Sequence, residues 1–326
     1  MKRRSLLGCI AALPVLTSFA KASQSNLKSI PQQAASRVIV DNDFAGDPDG
    51  LVALAHQLLS PKTRTVLVTA SLLDPGLAGV AGLDPARTAA SGARKARALL
   101  QQLGTRNRPP VVAGAETTGT GNAQQNAAAR AIVAEAMRED PLPLVLACGG
   151  PLTNVAAALR LNPAIAGRMT LAWIGGASAP EGGAEYNLST DLAAARHVLE
   201  ESALPVWQVE EAEYKRFQVS VAELTATLRP LAPAGRWLYE QYLQLPPFVK
   251  LGGSLVLGDS ALVSLTALSP ELTPYTTRPV RRILDDARHG AEIEGRQVRV
   301  YRAIDTRLNL ADFIALMRLH SARRQP

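Results

Sequence analysis

The chain has 326 residues and a formal charge of +7, and 47% of its residues are hydrophobic but only 4% aromatic. This length allows one large α/β domain, and a core built mainly from Ala, Leu and Val suits helix-covered parallel strands better than an aromatic-rich β-sandwich. After residue 22 no dense stripe of Lys and Arg is interleaved with aromatics, which argues against nucleic acid as a partner.

The first 22 residues have the pattern of an export signal. Basic residues at 2–4 precede an apolar stretch that ends in a small-x-small site at 20–22. We predict a cleaved signal peptide, of twin-arginine or ordinary secretory type, and a periplasmic or secreted protein without a membrane anchor. Cleavage removes four basic residues and lowers the charge from +7 to +3. It leaves Cys148 alone, so no internal disulfide can form.

Short apolar runs alternate with longer helical patterns from Arg37 onwards, after a polar segment at 23–36 that we predict to be a flexible leader. This alternation predicts βαβ units and a mostly parallel, Rossmann-like central sheet flanked by helices. The predicted strands cover residues 37–41, 64–70, 109–113, 142–147, 168–174 and 204–209. The predicted helices between them cover residues 50–60, 86–103, 123–138, 153–161 and 190–201.

The pattern changes after about residue 218 to C-terminal helical additions and a short β-hairpin. The hairpin strands are predicted near 278–284 and 296–301, with the segment 289–297 as the turn between them. No Pro/Gly/Ser-rich linker divides the chain, so we predict a single domain over residues 37–320, followed by a tail at 321–326. The added helices are predicted at 220–229, 232–245, 259–268 and 309–320.

The first predicted strand runs into the segment DNDFAGDPDG, which holds Asp41, Asp43, Asp47 and Asp49. Ligands of open parallel sheets bind at the carboxyl ends of the strands. Four carboxylates this close repel one another, and their pKa values rise unless a cation neutralises them. A hard divalent cation, Ca²⁺ or Mg²⁺, is the simplest solution. Helix capping would explain one or two of these aspartates, but not four.

A glycine-rich turn at residues 149–151 follows another predicted buried strand and leads into Thr153 and Asn154. Glycines allow a ligand to approach the backbone closely, and free carbonyl groups in such a turn can face a ligand or a metal. Taken alone, the segment is more typical of a plain strand-to-helix turn in which Thr153 or Asn154 caps the helix.

Two later segments carry further polar candidates. Glu185 and Asn187 flank Tyr186 in a glycine-rich loop, and such a pair offers the oriented donors and acceptors that sugar hydroxyls require. A solvated polar loop would have the same composition. Asp259 opens an apolar helix after Gly258, and helix capping alone would account for it.

Together these segments resemble the inosine-uridine-type nucleoside hydrolase superfamily, from about residue 37 to about residue 319. Proteins of that kind have an aspartate-rich first loop, a Gly-Pro-Leu-Thr-Asn turn, a Glu-aromatic-Asn segment and a late aspartate at a helix start. The matching residues are, in the same order, 41–50, Gly150 to Asn154, Glu185 to Asn187, and Asp259. The resemblance implies an enzyme with an α/β fold that hydrolyses the N-glycosidic bond of a small-molecule substrate, a ribonucleoside or a related N-riboside. It also implies calcium and a homodimer or homotetramer.

The resemblance assigns roles to the matching residues. Asp43 would be the base that takes a proton from a water held by calcium. Asp47 would bind calcium or a ribose hydroxyl. Independently of the resemblance, the aromatic helical segment at 236–248 offers Trp237, which would stack on the base or pack in the core. The calcium ligands would be Asp43, Asp47, Asp49, Asp259 and the carbonyl oxygen of Gly149. The substrate contacts would be Asp47, Glu185, Asn187, Asn154 and Trp237.

Several positions depart from the family pattern. Pro48 separates Asp47 from Asp49, which leaves the division of roles between the two aspartates open. Gly258 stands where a histidine usually helps the base to leave. Two asparagines of the pattern are also replaced, one by Ser71 or Leu72 and the other by Ala179 or Pro180. The predicted metal site is thus better preserved than the side that recognises the base.

Two other interpretations are compatible with the sequence. In the first, the chain is an exported calcium-containing protein that binds a nucleoside or sugar. The absence of the leaving-group histidine would then account for weak or no hydrolysis. Alternatively, the first segment resembles that of haloacid-dehalogenase-type phosphatases. In that case Asp41 would be the nucleophile, Asp43 the acid and base, and Asp285-Asp286 a late acidic pair.

Overall fold

Strands and helices alternate along the chain, as the sequence predicts, in a computed structural model that describes residues 30–119, 123–178, 180–246, 248–268 and 270–324. The predicted signal peptide and residues 23–29 of the predicted leader lie outside the described residues. Residues 33–326 group into one compact unit. No helix within the described ranges has both the length and the apolar content needed to cross a membrane.

The main sheet has eight strands within the described part of the chain, in the order β3-β2-β1-β4-β5-β6-β10-β9. Neighbouring strands are parallel except for the β10–β9 pair, and β7 and β8 form a separate antiparallel pair. The predicted α/β fold with a mostly parallel sheet is therefore confirmed. The strands are β1 (Ser36–Asn42), β2 (Thr63–Ala70), β3 (Val111–Ala113), β4 (Leu144–Cys148), β5 (Met169–Ile174), β6 (Val206–Val209), β7 (Gln218–Ser220), β8 (Ser254–Val256), β9 (Tyr275–Ile283) and β10 (His289–Tyr301).

Helices flank the sheet and add a C-terminal group. Short 3₁₀ turns lie at Pro85–Arg87, Ala123–Gln125, Pro163–Gly167 and Tyr242–Gln244, and π-helical turns lie at His197–Glu201 and Ser264–Leu268. The α-helices are α1 (Asp49–Leu59), α2 (Pro75–Val80), α3 (Thr88–Leu103), α4 (Ala127–Met137), α5 (Thr153–Leu161), α6 (Tyr186–Thr190), α7 (Leu192–Arg196), α8 (Glu211–Tyr214), α9 (Val221–Thr227), α10 (Ala234–Gln241), α11 (Ser260–Val263) and α12 (Thr306–Ala322).

Both faces of the sheet are buried, which explains why the central strands are apolar without polar alternation. In β1, Val38 and Val40 pack into a cluster that includes residues of α1, α3 and α12. Ile39, on the opposite face, packs with residues of α4 and α5. This alternation places the polar residues that follow, Asp41 and Asn42, on opposite faces at the carboxyl end of the strand.

The C-terminal hairpin differs from its prediction in the position of its turn. The predicted turn at 289–297 belongs to β10, and the chain reverses at residues 284–288, where Ala287 has a φ of 62°. The register of β10 against β9 shifts twice between His289 and Gln297, and Gly295 has a φ of 72°. The polar, glycine-containing composition of 289–297 therefore marks an irregular part of β10, next to the edge strand β9, because a bulge needs the same residues as a turn.

Several short elements are absent from the sequence prediction. These are α2, α6 and α8, together with the β7–β8 pair, none of which is longer than six residues. Elements of this length contain too few turns or alternations for a periodic signal. At the C-terminus α12 extends to Ala322, so the predicted tail at 321–326 begins inside a helix.

Candidate active site

Seven residues that the sequence analysis singled out line one cavity at the carboxyl ends of β1 and β4. The strand order reverses between these two strands, and such a reversal opens a crevice for ligands. The cavity volume is about 620 Å³, a size typical of small-molecule sites. The seven residues are Asp43, Asp47, Asp49, Gly149, Glu185, Asn187 and Asp259.

The first aspartate segment folds into a tight turn between β1 and α1. The amide of Gly46 donates to the carbonyl oxygen of Asp43 at 2.8 Å, which turns the chain directly after the strand. Asp49 is the first residue of α1, and its amide donates to Oδ1 of Asp47 at 3.2 Å. Pro48 therefore does not divert either aspartate from the cavity, and both side chains line it.

Asp259 joins this cluster from a distant part of the chain. Its side chain is buried, and its Oδ2 accepts a hydrogen bond of 2.9 Å from Nδ2 of Asn42. Its own backbone amide donates to Oδ2 of Asp49 at 3.2 Å. The carboxylate makes no capping hydrogen bond to α11. Helix capping therefore does not explain Asp259, which instead connects α11 to β1 and α1.

Asn42 holds the cluster together, and the sequence analysis did not identify it. A Cβ atom at Gly50 would lie 2.5 Å from Asn42 Oδ1, and one at Gly149 would lie 2.2 Å from Asn42 Nδ2 and 2.5 Å from Asp259 Oδ1. Both glycines are thus required by close approach. Asn42 Oδ1 is buried and has no hydrogen-bond partner among the described residues. Its position between two motif aspartates was the available signal.

Three aspartates of the cavity, Asp43, Asp49 and Asp259, resist ionisation. Burial, followed by the charges of Asp259 and Asp47, holds the pKa of Asp43 well above its usual range. The same causes hold the pKa of Asp49 well above its usual range. Burial also raises the pKa of Asp259 to about 7, although the hydrogen bond from Asn42 opposes the shift. These carboxyl groups are therefore costly to ionise side by side, and a bound cation would stabilise their ionised forms.

The oxygen atoms at this end of the cavity are of the kind that binds a hard cation, but they are not arranged as a complete coordination shell. Within the described ranges, no group of three or more His, Cys, Asp or Glu side chains is arranged so that it could hold a metal ion. The oxygens that line the acidic end belong to carboxylates and to Gly149, and the buried Oδ1 of Asn42, which has no partner among the described residues, lies behind them. Calcium and magnesium prefer such oxygens, while sulfur and imidazole ligands are not among them.

Glu185 and Asn187 approach the cavity from the loop after β5. Glu185 is the N-cap residue of α6 and accepts from the amides of Asn187 and Leu188. Asn187 Nδ2 donates to the carbonyl oxygens of Ile174 at 2.9 Å and Gly149 at 3.3 Å. Both amide hydrogens of Asn187 are thus used, which leaves its Oδ1 as the atom that can accept from a ligand hydroxyl.

Tyr214 also lines the cavity, and the sequence analysis did not single it out. It ends α8, after β6, and its hydroxyl donates to Oε1 of Glu185 at 2.7 Å. A Cβ atom at Gly258 would lie 3.0 Å from Cδ2 of its ring. The space beside Gly258, where the family pattern has a histidine, is therefore bounded by this tyrosine.

Asn154 and Asp41 lie behind the cavity rather than in it. Both side chains are fully buried, and Asn154 Nδ2 donates to Asp41 Oδ1 at 2.9 Å. The Thr69 hydroxyl donates to the same Asp41 oxygen at 2.5 Å, and burial raises the pKa of Asp41 to about 6. The prediction that Asn154 contacts substrate is not supported, because its amide joins β1 to α5 and neither residue lines the cavity.

This burial also argues against the phosphatase interpretation. A nucleophile must reach its substrate, but Asp41 is 0% exposed. The predicted late acidic pair lies in the turn between β9 and β10, where Asp285 bonds to Arg196 and Asp286 bonds to Arg288. Neither residue of the pair lines the cavity.

Trp237 and the described residues at the substituted asparagine positions, Ser71, Leu72 and Pro180, do not line the cavity. Trp237 is partly buried against the core and does not line the cavity, so the core-packing alternative describes its place. Ser71 and Leu72 are fully buried. Ala179 lies outside the described residues.

The side of the cavity away from the carboxylates is mostly apolar. It comes from the segment that contains α2 and from the segment between α10 and α11, neither of which belongs to the main sheet. Leu77 is 48% exposed and Phe248 is 51% exposed at its rim. The apolar residues of this wall are Leu73, Leu77, Ala78, Ala81, Leu83, Leu245, Pro246, Phe248, Val249 and Val256.

Comparisons with known proteins agree with the fold. The sequence model of the inosine-uridine preferring nucleoside hydrolase family matches residues 38–305. A plant nucleoside hydrolase has a similar structure, with a TM-score of 0.68, 18% identity, and 87% of this chain and 99% of that chain covered. An inosine-guanosine nucleoside hydrolase has a TM-score of 0.67 and 18% identity, with 87% of this chain and 99% of that chain covered. An inosine-uridine preferring nucleoside hydrolase from Bacillus anthracis has a TM-score of 0.63 and 18% identity, with 86% of this chain and 99% of that chain covered. No curated protein sequence matches the chain.

Proposed function

The chain belongs to the inosine-uridine preferring nucleoside hydrolase family and is an N-glycosidase that acts on ribonucleosides, and we propose that the reaction depends on calcium and uses Asp43 as general base. One observation carries the proposal. Residues that are far apart in the sequence, in the segments around Asp43, Gly149, Glu185 and Asp259, line a single cavity at the reversal of the strand order.

The acidic end of the cavity supports calcium as the cofactor. Asp43, Asp49 and Asp259 would hold the ion together with Asp47 and the carbonyl group of Gly149, since hard oxygen ligands in flexible geometry suit calcium. When bound, calcium would supply the positive charge that offsets these carboxylates and polarises a water molecule. Burial first, and then the neighbouring carboxylates, raise the pKa values of Asp43, Asp49 and Asp259, and a bound cation would offset both effects.

Asp43 is placed to take the proton from the attacking water. It directly follows β1, lines the cavity, and is held by the turn in which Gly46 donates to its carbonyl oxygen. Burial, followed by the charges of Asp259 and Asp47, makes proton uptake by its carboxylate more favourable, which strengthens a general base. As the N-glycosidic bond breaks, positive charge develops on the sugar, and the same carboxylates stabilise it.

Asn187 and Asp47 are the residues we assign to the sugar hydroxyls. Asn187 has a free Oδ1, and Asp47 is exposed at the cavity with its Oδ2 uncommitted among the described residues. Asp49 is the firmer metal ligand of the two loop aspartates, because its Oδ2 is already oriented by the amide of Asp259. The base would face the apolar wall, where Leu77 and Phe248 form the rim.

The proposal is tested by the release of free base from ribonucleosides with calcium and with a chelator present. Release that requires calcium and disappears in Asp43→Asn would support it. Release that persists in the chelator, or in the variant, would contradict the assigned cofactor or base. Tight nucleoside binding without turnover would identify the protein instead as a binding protein, the alternative that Gly258 leaves open.

We also propose that the protein is exported, on the pattern of residues 1–22. Its site of action would then be the periplasm or the medium, where external nucleosides are available. N-terminal sequencing of the protein from a periplasmic fraction tests this, with Ser23 expected as the first residue. An intact Met1 in a cytoplasmic fraction would contradict it.

A further inference from the structure

Glu185 has no acceptor position left for a sugar hydroxyl. An ionised carboxylate offers about four lone-pair positions, two on each oxygen. Oε2 accepts from the amides of Gly176 at 2.7 Å and Leu188 at 3.0 Å. Oε1 accepts from the amide of Asn187 at 3.2 Å and from the hydroxyl of Tyr214 at 2.7 Å. The group that the sequence analysis assigned to the sugar is therefore fully engaged by the chain itself.

Only one of these four donors can be replaced by a hydroxyl group of the substrate. Three are backbone amides, fixed where β5 ends and where α6 begins. The fourth is the side-chain hydroxyl of Tyr214, which lines the cavity. Burial and the charge of Glu185 keep the pKa of Tyr214 well above its usual range, so its hydroxyl stays protonated as a donor. A hydroxyl that approaches Oε1 from the cavity must therefore compete with Tyr214.

The chain is built to hold Tyr214 in this position. Its ring lies against Gly258, where a Cβ atom would be 3.0 Å from Cδ2, too close for a rigid ring to accept without movement. Its backbone is also fixed, because its carbonyl oxygen accepts from the amide of Phe217 at 3.1 Å. The carbonyl oxygen of Phe217 in turn accepts from the amide of Leu257 at 2.6 Å, next to Gly258.

We propose that Tyr214 is a specificity-determining residue, whose hydroxyl takes the position on Glu185 that a sugar hydroxyl would need. The site then favours N-glycosides whose sugar carries hydrogen instead of hydroxyl at the carbon that faces Glu185. This inference rests on the proposed N-glycosidase activity. A sugar with the hydroxyl must displace the Tyr214 hydroxyl from a charged acceptor, whereas the deoxy sugar leaves that bond intact.

The experiment compares the wild-type protein with Tyr214→Phe on adenosine and on its 2′-, 3′- and 5′-deoxy forms, with calcium present. For one of the three positions, we expect the wild type to prefer the deoxy substrate over adenosine in kcat/KM. In Tyr214→Phe that preference should fall by about tenfold, the value of one hydrogen bond to a charged acceptor. The change should come from faster turnover of adenosine, because Oε1 of Glu185 becomes free.

Gly258→Ala provides a second route to the same change. The added methyl should push the Tyr214 ring away from Glu185 and reduce the same preference without removing the hydroxyl. Tyr275→Phe is the matched control, because Tyr275 lies on β9 outside the cavity and loses the same atom. Its substrate preference should equal that of the wild type. Thermal unfolding of each variant establishes that it is folded.

If Tyr214→Phe leaves the ratio of kcat/KM for the deoxy substrates to kcat/KM for adenosine unchanged, the inference is overturned. A selective loss of adenosine turnover would also overturn it, because Tyr214 would then contact the hydroxyl instead of competing with it. If no nucleoside is hydrolysed by any variant, the N-glycosidase proposal fails separately. Calorimetry with ribose and its 2-, 3- and 5-deoxy forms in calcium then decides the inference. A deoxy preference that Tyr214→Phe removes supports it, and equal or absent binding of these sugars overturns it.

Discussion

The two walls of the cavity are built from different kinds of chain segment. The acidic wall comes from strand ends and helix starts, where Asp43 follows β1 and Asp49 opens α1. The apolar wall comes from segments outside the main sheet, and residues such as Leu77 and Phe248 are about half exposed there. On the acidic wall a single added carbon would collide with Asn42 or Asp259, whereas the apolar wall has side chains with free surface.

This difference explains how one scaffold can keep a reaction and vary its substrate. Carboxylates that bind a metal ion or take up a proton must be placed precisely, because a small displacement of a catalytic group lowers the reaction rate by a large factor. Parallel strands supply that precision, since their carboxyl ends are fixed by hydrogen bonds and by the packing of both faces. Surface segments tolerate change and therefore suit the recognition of variable bases.

The strongest test of the acidic wall is Asp43→Asn. We expect kcat to fall by about 10²–10⁴-fold, because the amide keeps the shape of the side chain but cannot accept the proton. Base release from ribonucleosides in calcium measures the effect. Asp285→Asn is the control, since its carboxylate is 99% exposed and lies outside the cavity. Equal activity in both variants would remove Asp43 from the mechanism.

Gly149→Ala tests whether close packing maintains the acidic wall. Its Cβ would collide with Asn42 and Asp259, so we expect overpacking to cost about 1–3 kcal/mol of stability and kcat to fall by about tenfold or more. Thermal unfolding and base release measure the two effects. Gly167→Ala is the matched control, because nothing lies within 4 Å of its added carbon. A stable, fully active Gly149→Ala protein would contradict this account of the site.

Calcium and pH should act together on stability through the same wall. Asp259 has an ordinary pKa of 3.8 that rises to about 7 in the folded protein, so the folded state binds more protons between those values. Without calcium, stability should therefore fall as the pH rises through this window, and Asp43 and Asp49 shift in the same direction. In the proposed site calcium would bind the ionised carboxylates, so its stabilising effect should grow with pH.

Thermal unfolding with calcium or with a chelator, at about pH 5 and about pH 8 and at matched ionic strength, measures this coupling. The increase in melting temperature caused by calcium should be larger at the higher pH. An equal increase at both pH values would show that the carboxylates at this end of the cavity do not bind the ion.

The smallest effect is expected on the apolar wall. Leu77→Ala should change kcat/KM for individual bases by about 3–10-fold, mainly through KM, because it removes contact with the base and leaves the reacting groups in place. Leu319→Ala is the matched control, since Leu319 is similarly exposed, at 56% compared with 48%, but lies on α12 outside the cavity. A fall in kcat that is equal for all bases would show that this wall also positions the reacting groups.

The sequence predicted most of the fold because its elements are long and periodic. The six strands and five helices of the alternating region occur close to their predicted positions, and β1 and α5 match within one residue at each end. It also singled out Asp43, Gly149, Asn187 and Asp259, which line the cavity, since each stands in a recognisable segment at the end of a strand or the start of a helix. The turn predicted at 289–297 was wrong, because the same composition serves a bulged strand there. Asn154 lies behind the cavity, where its amide bonds to Asp41, and its residue type could not reveal this.

The residue types, their order and the strand-to-helix alternation determined by themselves that a parallel sheet would present carboxylates at its carboxyl edge. Only the tertiary structure decided which polar atoms are free. Asn42 reaches Asp259, 217 residues away, and Tyr214 occupies the last acceptor position of Glu185. Such pairings depend on distances of about 3 Å between atoms from remote segments. Local sequence carries no record of those distances, because packing of the whole core fixes them.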